Sequence, residues 1–245
     1  MPREWDASTY DRIADPMTRW GSSVVSRLDL RGGETVLDAG CGSGRVTETL
    51  LGRLPEGHVI ALDGSAAMLA EARRRLTPHR SAVTFVHADL QQPLELPRPL
   101  DAVYSGATFH WVADHDALFR NLADALPPGG QLVAQYGGGQ NIASVRAILG
   151  ELGVTDLPWC FATPDEDRAR LESAGFAVDD IWLNDERVEF EAGEPLQTYL
   201  ATVVLNWHID RIPEAERRPF LAEVARRLPE PVLDYVRLNV MAHRV

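Results

Sequence analysis

Lysine is absent from this chain: all 24 of its basic side chains are arginine, set against 36 acids, for a formal net charge of −12. That balance excludes the basic face with which proteins grip a phosphate backbone, so no nucleic-acid partner is expected. The one dense basic cluster, Arg73-Arg74-Arg75, falls late in a predicted helix, where cations complement the helix dipole. Cysteine is scarce as well. Cys41 and Cys160 are too few for a disulfide framework or a zinc-type ligand set, so no metal site is expected. Long apolar runs are missing: no segment approaches the roughly 20 residues that a membrane-spanning helix needs. The opening Met1-Pro2-Arg3-Glu4-Trp5-Asp6 does not read as a signal peptide. The expectation is a cytoplasmic protein with no membrane partner, and nothing in the sequence fixes an oligomeric state.

What is present is an ordinary soluble composition, 45% hydrophobic and 24% charged over 245 residues, enough to bury the core of a single α/β domain. Strand-like apolar runs are predicted at Thr35–Asp38, Val59–Asp63, Val83–His87, Ala102–Ser105 and Gln131–Tyr136. Helix-like runs at Gly44–Leu54, Ser65–Leu76 and Asp114–Leu126 alternate with them. Such alternation implies right-handed crossovers and a parallel sheet covered on both faces. Ser65 and Asp114 suit helix N-caps, and Thr163-Pro164-Asp165-Glu166 reads as a capping box with proline at the first helical position. That helix ends at Gly175, and a strand follows from Phe176 to about Phe190. Pro195 to Pro231 reads as two helices around Ile212-Pro213, ahead of a last strand at Leu233–Val240. The expected fold is a Rossmann-like, doubly wound, mostly parallel seven-stranded sheet. Its expected parts are an N-terminal helical lid (1–34), a core (35–192), a helical cap insertion (193–231) and the last strand (232–245).

The densest signal is Val36-Leu37-Asp38-Ala39-Gly40-Cys41-Gly42-Ser43-Gly44. An apolar run ends in an acid and then three glycines, each one residue apart, with a helix beginning at once. Glycine lets the backbone approach a ligand, and the helix start offers free N–H groups and a positive dipole end to an anion. The dinucleotide fingerprint is G-x-G-x-x-G, whereas the third glycine here comes one residue early and an acid precedes the first. Cys41 inside this turn is better read as a small packing residue than as a nucleophile. In open parallel sheets ligands lie beyond the carboxyl ends of the strands. That rule selects Gly40, Gly42 and Gly44 after the first strand and Asp63 after the second. It selects Ala88, Asp89 and Leu90 after the third, and Ser105, Gly106 and Ala107 after the fourth.

The glycine turn resembles the first motif of class I S-adenosylmethionine (SAM) dependent methyltransferases, and Ala61-Leu62-Asp63-Gly64-Ser65-Ala66-Ala67-Met68 resembles their second. Ala88-Asp89-Leu90, Ser105-Gly106-Ala107-Thr108-Phe109-His110-Trp111 and Leu126-Pro127-Pro128-Gly129-Gly130 are similar to the following segments. Within the family, Trp5-Asp6-Ala7-Ser8-Thr9-Tyr10, the Phe-His-Trp triplet and the C-terminal half are most similar to the trans-aconitate methyltransferase branch. The resemblance implies SAM as cofactor and S-adenosylhomocysteine (SAH) as product. It implies cofactor contacts from Tyr10, Asp38, Gly40, Gly42, Gly44, Asp63, Gly64, Met68, Ala88, Asp89, Leu90, Ser105, Gly106, Ala107 and His110. Asp63 would take the ribose hydroxyls, Met68 would pack on adenine, and Asp89 would accept the adenine amino group.

Methyl transfer asks the protein to align the acceptor with the methyl carbon and to exclude water. A carboxylate acceptor is already ionised near neutral pH and needs no base; a hydroxyl, amine or carbon acceptor is different. His110, Tyr10 and His208 are the candidate bases, with His208 expected on the surface of the cap. Trp5, Tyr10, Trp20 and Trp111 are candidates to line the site, Trp20 more as core. Arg12, Arg19, Arg146 and Arg211 are candidates to hold an acidic, small-molecule acceptor. Two other functions compete: a SAM-binding protein without transfer, and a nicotinamide-dependent oxidoreductase, against which Asp38 and the early third glycine speak.

Overall fold

The computed structural model describes residues 15–245. Seven strands form one sheet, β1 (Thr35–Ala39), β2 (His58–Asp63), β3 (Val83–His87), β4 (Ala102–Gly106), β5 (Gln131–Gly137), β6 (Phe176–Glu189) and β7 (Val232–Arg244), in the order β3-β2-β1-β4-β5-β7-β6. The first five run parallel and β7 alone enters antiparallel, between β5 and β6. The chain direction along the sheet reverses between β1 and β4, which opens a crevice at their carboxyl ends.

The strands read as continuous apolar runs because both faces are covered. Val36, Val59, Ala61, Ala102 and Tyr104 point into one layer, against α1 (Asp15–Val25), α2 (Arg45–Arg53) and α3 (Ala66–Arg75). Leu37, Ala39, Ile60, Leu62 and Val103 point into the other, against α4 (His115–Ala125) and α6 (Pro164–Ser173). A third cluster joins Trp20, α5 (Ala143–Glu151), the start of β7 and the segment between β6 and β7.

The local stop and start signals act as their chemistry dictates. Ser65 Oγ accepts the Met68 N–H at 3.2 Å and an Asp114 oxygen accepts the Ala117 N–H at 2.9 Å. Thr163 and Glu166 cap each other reciprocally at the start of α6. Two features differ from the sequence reading. The segment before β7 is not two helices but α7 (Glu194–Tyr199), a π-helical turn (Leu200–Val204), α8 (Asn206–Ile209) and α9 (Glu214–Arg227). Helix α5 was not expected from the sequence, where no local cap announces it; the Asp234 carboxylate, on β7, accepts the Ser144 N–H at 3.0 Å. Among the described residues no helix is long and apolar enough to cross a membrane.

Candidate active site

After β1 the chain makes a turn in which Gly40, Gly42 and Gly44 all take left-handed φ values, 87°, 54° and 83°. The Gly40 and Cys41 N–H groups donate to Leu62 O at 2.8 and 2.9 Å, clipping the turn to the end of β2. The three glycines do different things. A Cβ on Gly40 would collide with the Thr108 side chain. One on Gly42 would meet nothing within 4 Å, because this glycine opens onto a cavity. One on Gly44 would press on Ala72 at 3.3 Å, so the third glycine brings the turn against α3.

The cavity has a volume of about 320 Å³ and lies at the carboxyl ends of β1 to β4. Of the residues singled out in the sequence, Gly40, Gly42, Asp63, Gly64, Met68, Ala88, Asp89, Leu90, Gly106 and Ala107 line it. Asp63 sits at the junction of two loops, its carboxylate accepting the N–H groups of Gly42 and Ser65, both at 2.8 Å. Asp38, Gly44 and Ser105 stand behind the wall instead. Asp38 is buried and accepts the Thr47 hydroxyl at 2.7 Å, tying α2 to β1; burial, reinforced by Asp63, pushes its carboxyl up to about 7 despite that hydrogen bond. Ser105 donates to Ala39 O at 2.7 Å across the β1–β4 pair. The Cys41 thiol is buried and pushed up by that burial, in keeping with a packing role. Gln91, Pro158 and Trp207 also line the cavity and were missed in the sequence; no local motif marks them, and Gln91 lies one residue beyond the Ala88–Leu90 segment selected there. Tyr10, Trp5 and Arg12 lie outside the described residues.

A second, smaller chamber of about 30 Å³ adjoins the first and shares Ala107 and Trp111 with it. Ala107 makes the partition with a left-handed φ of 56°, held by its N–H to Gln135 O at 2.7 Å. His110 lines this chamber rather than the first. Its Nδ1 accepts the Gly137 N–H at 3.3 Å, and burial, then the charge of Arg237, holds the ring well below the ordinary histidine range. The ring is therefore neutral with its proton on Nε2, a hydrogen-bond donor and a poor base. Stacked aromatic rings form the wall: Trp159 and Phe161 lie 5.6 Å apart at 10°, and Phe161 stacks on His110 at 5.9 Å. His208, expected on the surface, is buried against Trp159 at 5.3 Å, because α8 turns it inward beneath Trp207.

Among the described residues the arginine in this chamber is Arg237, which the sequence reading missed. It is 1% exposed, on β7, with its guanidinium 5.0 Å from the Trp20 ring. Of the arginines named from sequence, Arg19 is exposed, Arg146 lies over Phe161 at 5.7 Å and Arg211 over Trp207 at 3.7 Å. Alternation along β7 carried the missing signal: Leu233, Tyr235 and Arg237 share one face, and the first two are buried.

Sheet order and a cavity at the point where the order of the parallel strands reverses define a Rossmann-like architecture, and a family model described as a methyltransferase domain matches residues 36–130. The trans-aconitate 2-methyltransferase of Acidovorax ebreus is 38% identical over 238 residues, covering 93% of this chain and 90% of that protein. That of Paracidovorax citrulli is 32% identical over 238 residues, covering 91% and 88%. The chain therefore belongs to the class I SAM-dependent methyltransferases, in the branch of these relatives. Solved structures agree on the fold. The Bacillus subtilis YcgJ protein matches with a TM-score of 0.64 at 15% identity, covering 92% of this chain and 98% of that one. Geranyl diphosphate methyltransferase in complex with SAM matches with 0.59 at 18%, covering 93% and 85%. Neither competing function is favoured by these matches.

Proposed function

We propose that this methyltransferase forms a methyl ester on a small organic acid, with SAM in the larger cavity and the acid reaching it from the smaller chamber. The fit to SAM rests on the cavity itself. Gly42 leaves the space beside its backbone open, Asp63 offers a fixed carboxylate to vicinal hydroxyls, and Asp89, Leu90 and Met68 line the part of the wall expected around adenine. Gly40, Gly64, Ala88, Gly106 and Ala107 complete the same wall, while Asp38, Gly44 and Ser105 act through the shape of the glycine turn and of β4. When bound, SAM supplies an electrophilic methyl group on a sulfonium. The protein's part is to hold the acid in line with it, keep water out with Trp111, Pro158 and Trp207, and present an acceptor atom that needs no deprotonation.

One observation carries the acid over other acceptors: no described residue of the smaller chamber is placed to take a proton. The His110 Nδ1 is engaged and its Nε2 protonated, and the Tyr235 hydroxyl is 3.0 Å from that of Tyr199. An acceptor that is already anionic suits such a chamber. The relatives' names, which specify an acid as acceptor, support the same reading.

Two measurements test this. Isothermal titration should show SAM and SAH binding to the wild type, no heat with NADH, and loss of both sulfur nucleotides in Asp63→Ala. Incubation with methyl-labelled SAM and trans-aconitate or related acids should give a product whose label is released by mild alkali, as from an ester. A product that keeps its label in alkali would overturn the ester reading, and binding of NADH in place of SAH would overturn the cofactor.

A further inference from the structure

The smaller chamber is more specific than an approach path needs to be. At about 30 Å³ it holds about two atoms the size of oxygen, one water needing roughly 10–15 Å³. The rest of its wall is mainly apolar and aromatic, from Ile142, Trp159, Phe161 and Val203, with Asn141 and Tyr235 as further polar residues. Two N–H donors of the right chemistry meet there, and the sheet register brings them together. Arg237 of β7 lies opposite Gly137 of β5, and the Gly137 N–H is the group that fixes the His110 ring with its Nε2 proton outward from that bond. Gly137 cannot be larger without disturbing this arrangement, since a Cβ would lie 2.8 Å from Phe161. A guanidinium presents a planar fork that matches the two oxygens of a carboxylate, and an apolar wall strengthens the attraction.

We propose that this chamber is the carboxylate subsite for the acceptor, with the Arg237 guanidinium carrying the anion and the His110 Nε2–H supplying a second donor. The acid is then read by a residue of the last strand, not by arginines at the rim, and its body extends past Trp111, the aromatic residue that lines both chambers. This rests on the ester reading above.

The test is isothermal titration of the SAH-saturated protein with trans-aconitate, trans-cinnamate and the neutral cinnamamide. The wild type should bind at least one acid, with cinnamamide at least about 30-fold weaker than cinnamate. Arg237→Met should remove that preference, while SAH affinity stays within about threefold because Arg237 does not line the larger cavity. Should Arg237→Met fold poorly, Arg237→Lys keeps the charge without the fork and should cut the acid preference about tenfold with the melting temperature nearly unchanged. An undiminished preference in the folded variants, or loss of it in Arg146→Ala or Arg211→Ala instead, would overturn the proposal. So would a wild type that binds SAH and neither acid, a result that leaves the cofactor assignment standing. Failure of SAH to bind would bring down the underlying reading and this one with it.

Discussion

Gly40 and Gly42 stand two residues apart in one turn, both with left-handed backbone, yet the structure gives them separable duties. A β-carbon in that region costs about 1–2 kcal/mol from backbone sterics alone. At Gly40 it also drives into Thr108, in the wall of the larger cavity; at Gly42 it meets only open cavity. Gly40→Ala should therefore lower stability by about 2–4 kcal/mol, read as a fall in melting temperature of roughly 5–15 °C. Gly42→Ala should cost only the backbone share, yet weaken SAH binding by more than tenfold in calorimetry. Equal effects of the two on stability would contradict the division of labour. Residues of this kind were legible in the sequence because each candidate sits at the end of its own strand, where a short local pattern announces it. Arg237 was legible only in part: alternation along β7 gives its face, but Gly137 and His110, which it meets, are about a hundred residues earlier, and only the pairing of β5 with β7 makes them neighbours. His208 was misjudged for a related reason, since the face a one-turn helix buries depends on what it packs against.

Between single residues and the whole lies a buried charged node that fastens three elements together. His115 of α4 contacts the Asp167 carboxylate of α6 through Nδ1 at 2.9 Å and Phe109 O through Nε2 at 3.0 Å. Tyr136 of β5 donates to Asp167 at 2.7 Å, and Arg170 does so at 2.8 Å. Burial alone would lower His115, but the Asp167 carboxylate, together with Cys160, outweighs it and raises the imidazole to about 10. Burial would raise Asp167, and His115 in turn holds it below the usual carboxylate range. The signs follow. A raised histidine gives stability that is complete below about pH 6.5 and is lost as the pH climbs through about 10. A lowered aspartate gives stability present above its ordinary value near 3.8 and lost as the pH falls through its depressed one. Denaturant unfolding from pH 6 to 10 should thus show the wild type weakening toward alkali. Asp167→Asn should start about 3–5 kcal/mol less stable, because it leaves a buried cation unpaired, and should be flatter over the same range. A wild-type profile flat to pH 10 would show that the pair is neutral. None of this node could be read from sequence, whereas the Thr163–Glu166 box could, because both of its members lie within four residues. Helix α5 makes the same point from the other side: its cap, Asp234, is contributed by the last strand.

For the molecule as a whole, the larger cavity is where its separately packed layers meet. Its wall takes residues from Gly40 to Trp207: four strand ends, the stretch before α6 that holds Pro158, and helix α8 of the segment between β6 and β7. That segment packs into a third hydrophobic cluster with α5, β7 and Trp20, apart from the two clusters on the faces of the central strands. A ligand in the cavity therefore touches elements anchored in different cores, and anything that binds the folded chain but not the unfolded one stabilises all of them together. At a free concentration of 100 times its dissociation constant, such a ligand adds about 2.7 kcal/mol. For a chain of this length that corresponds to a rise of roughly 5–10 °C in melting temperature. SAH should produce this shift in a single sharpened transition, Asp63→Ala should abolish it, and NADH should leave the melt unmoved. A shift confined to one of two resolved transitions would mean that the segment carrying Trp207 melts on its own, with the cavity formed by the strand ends alone.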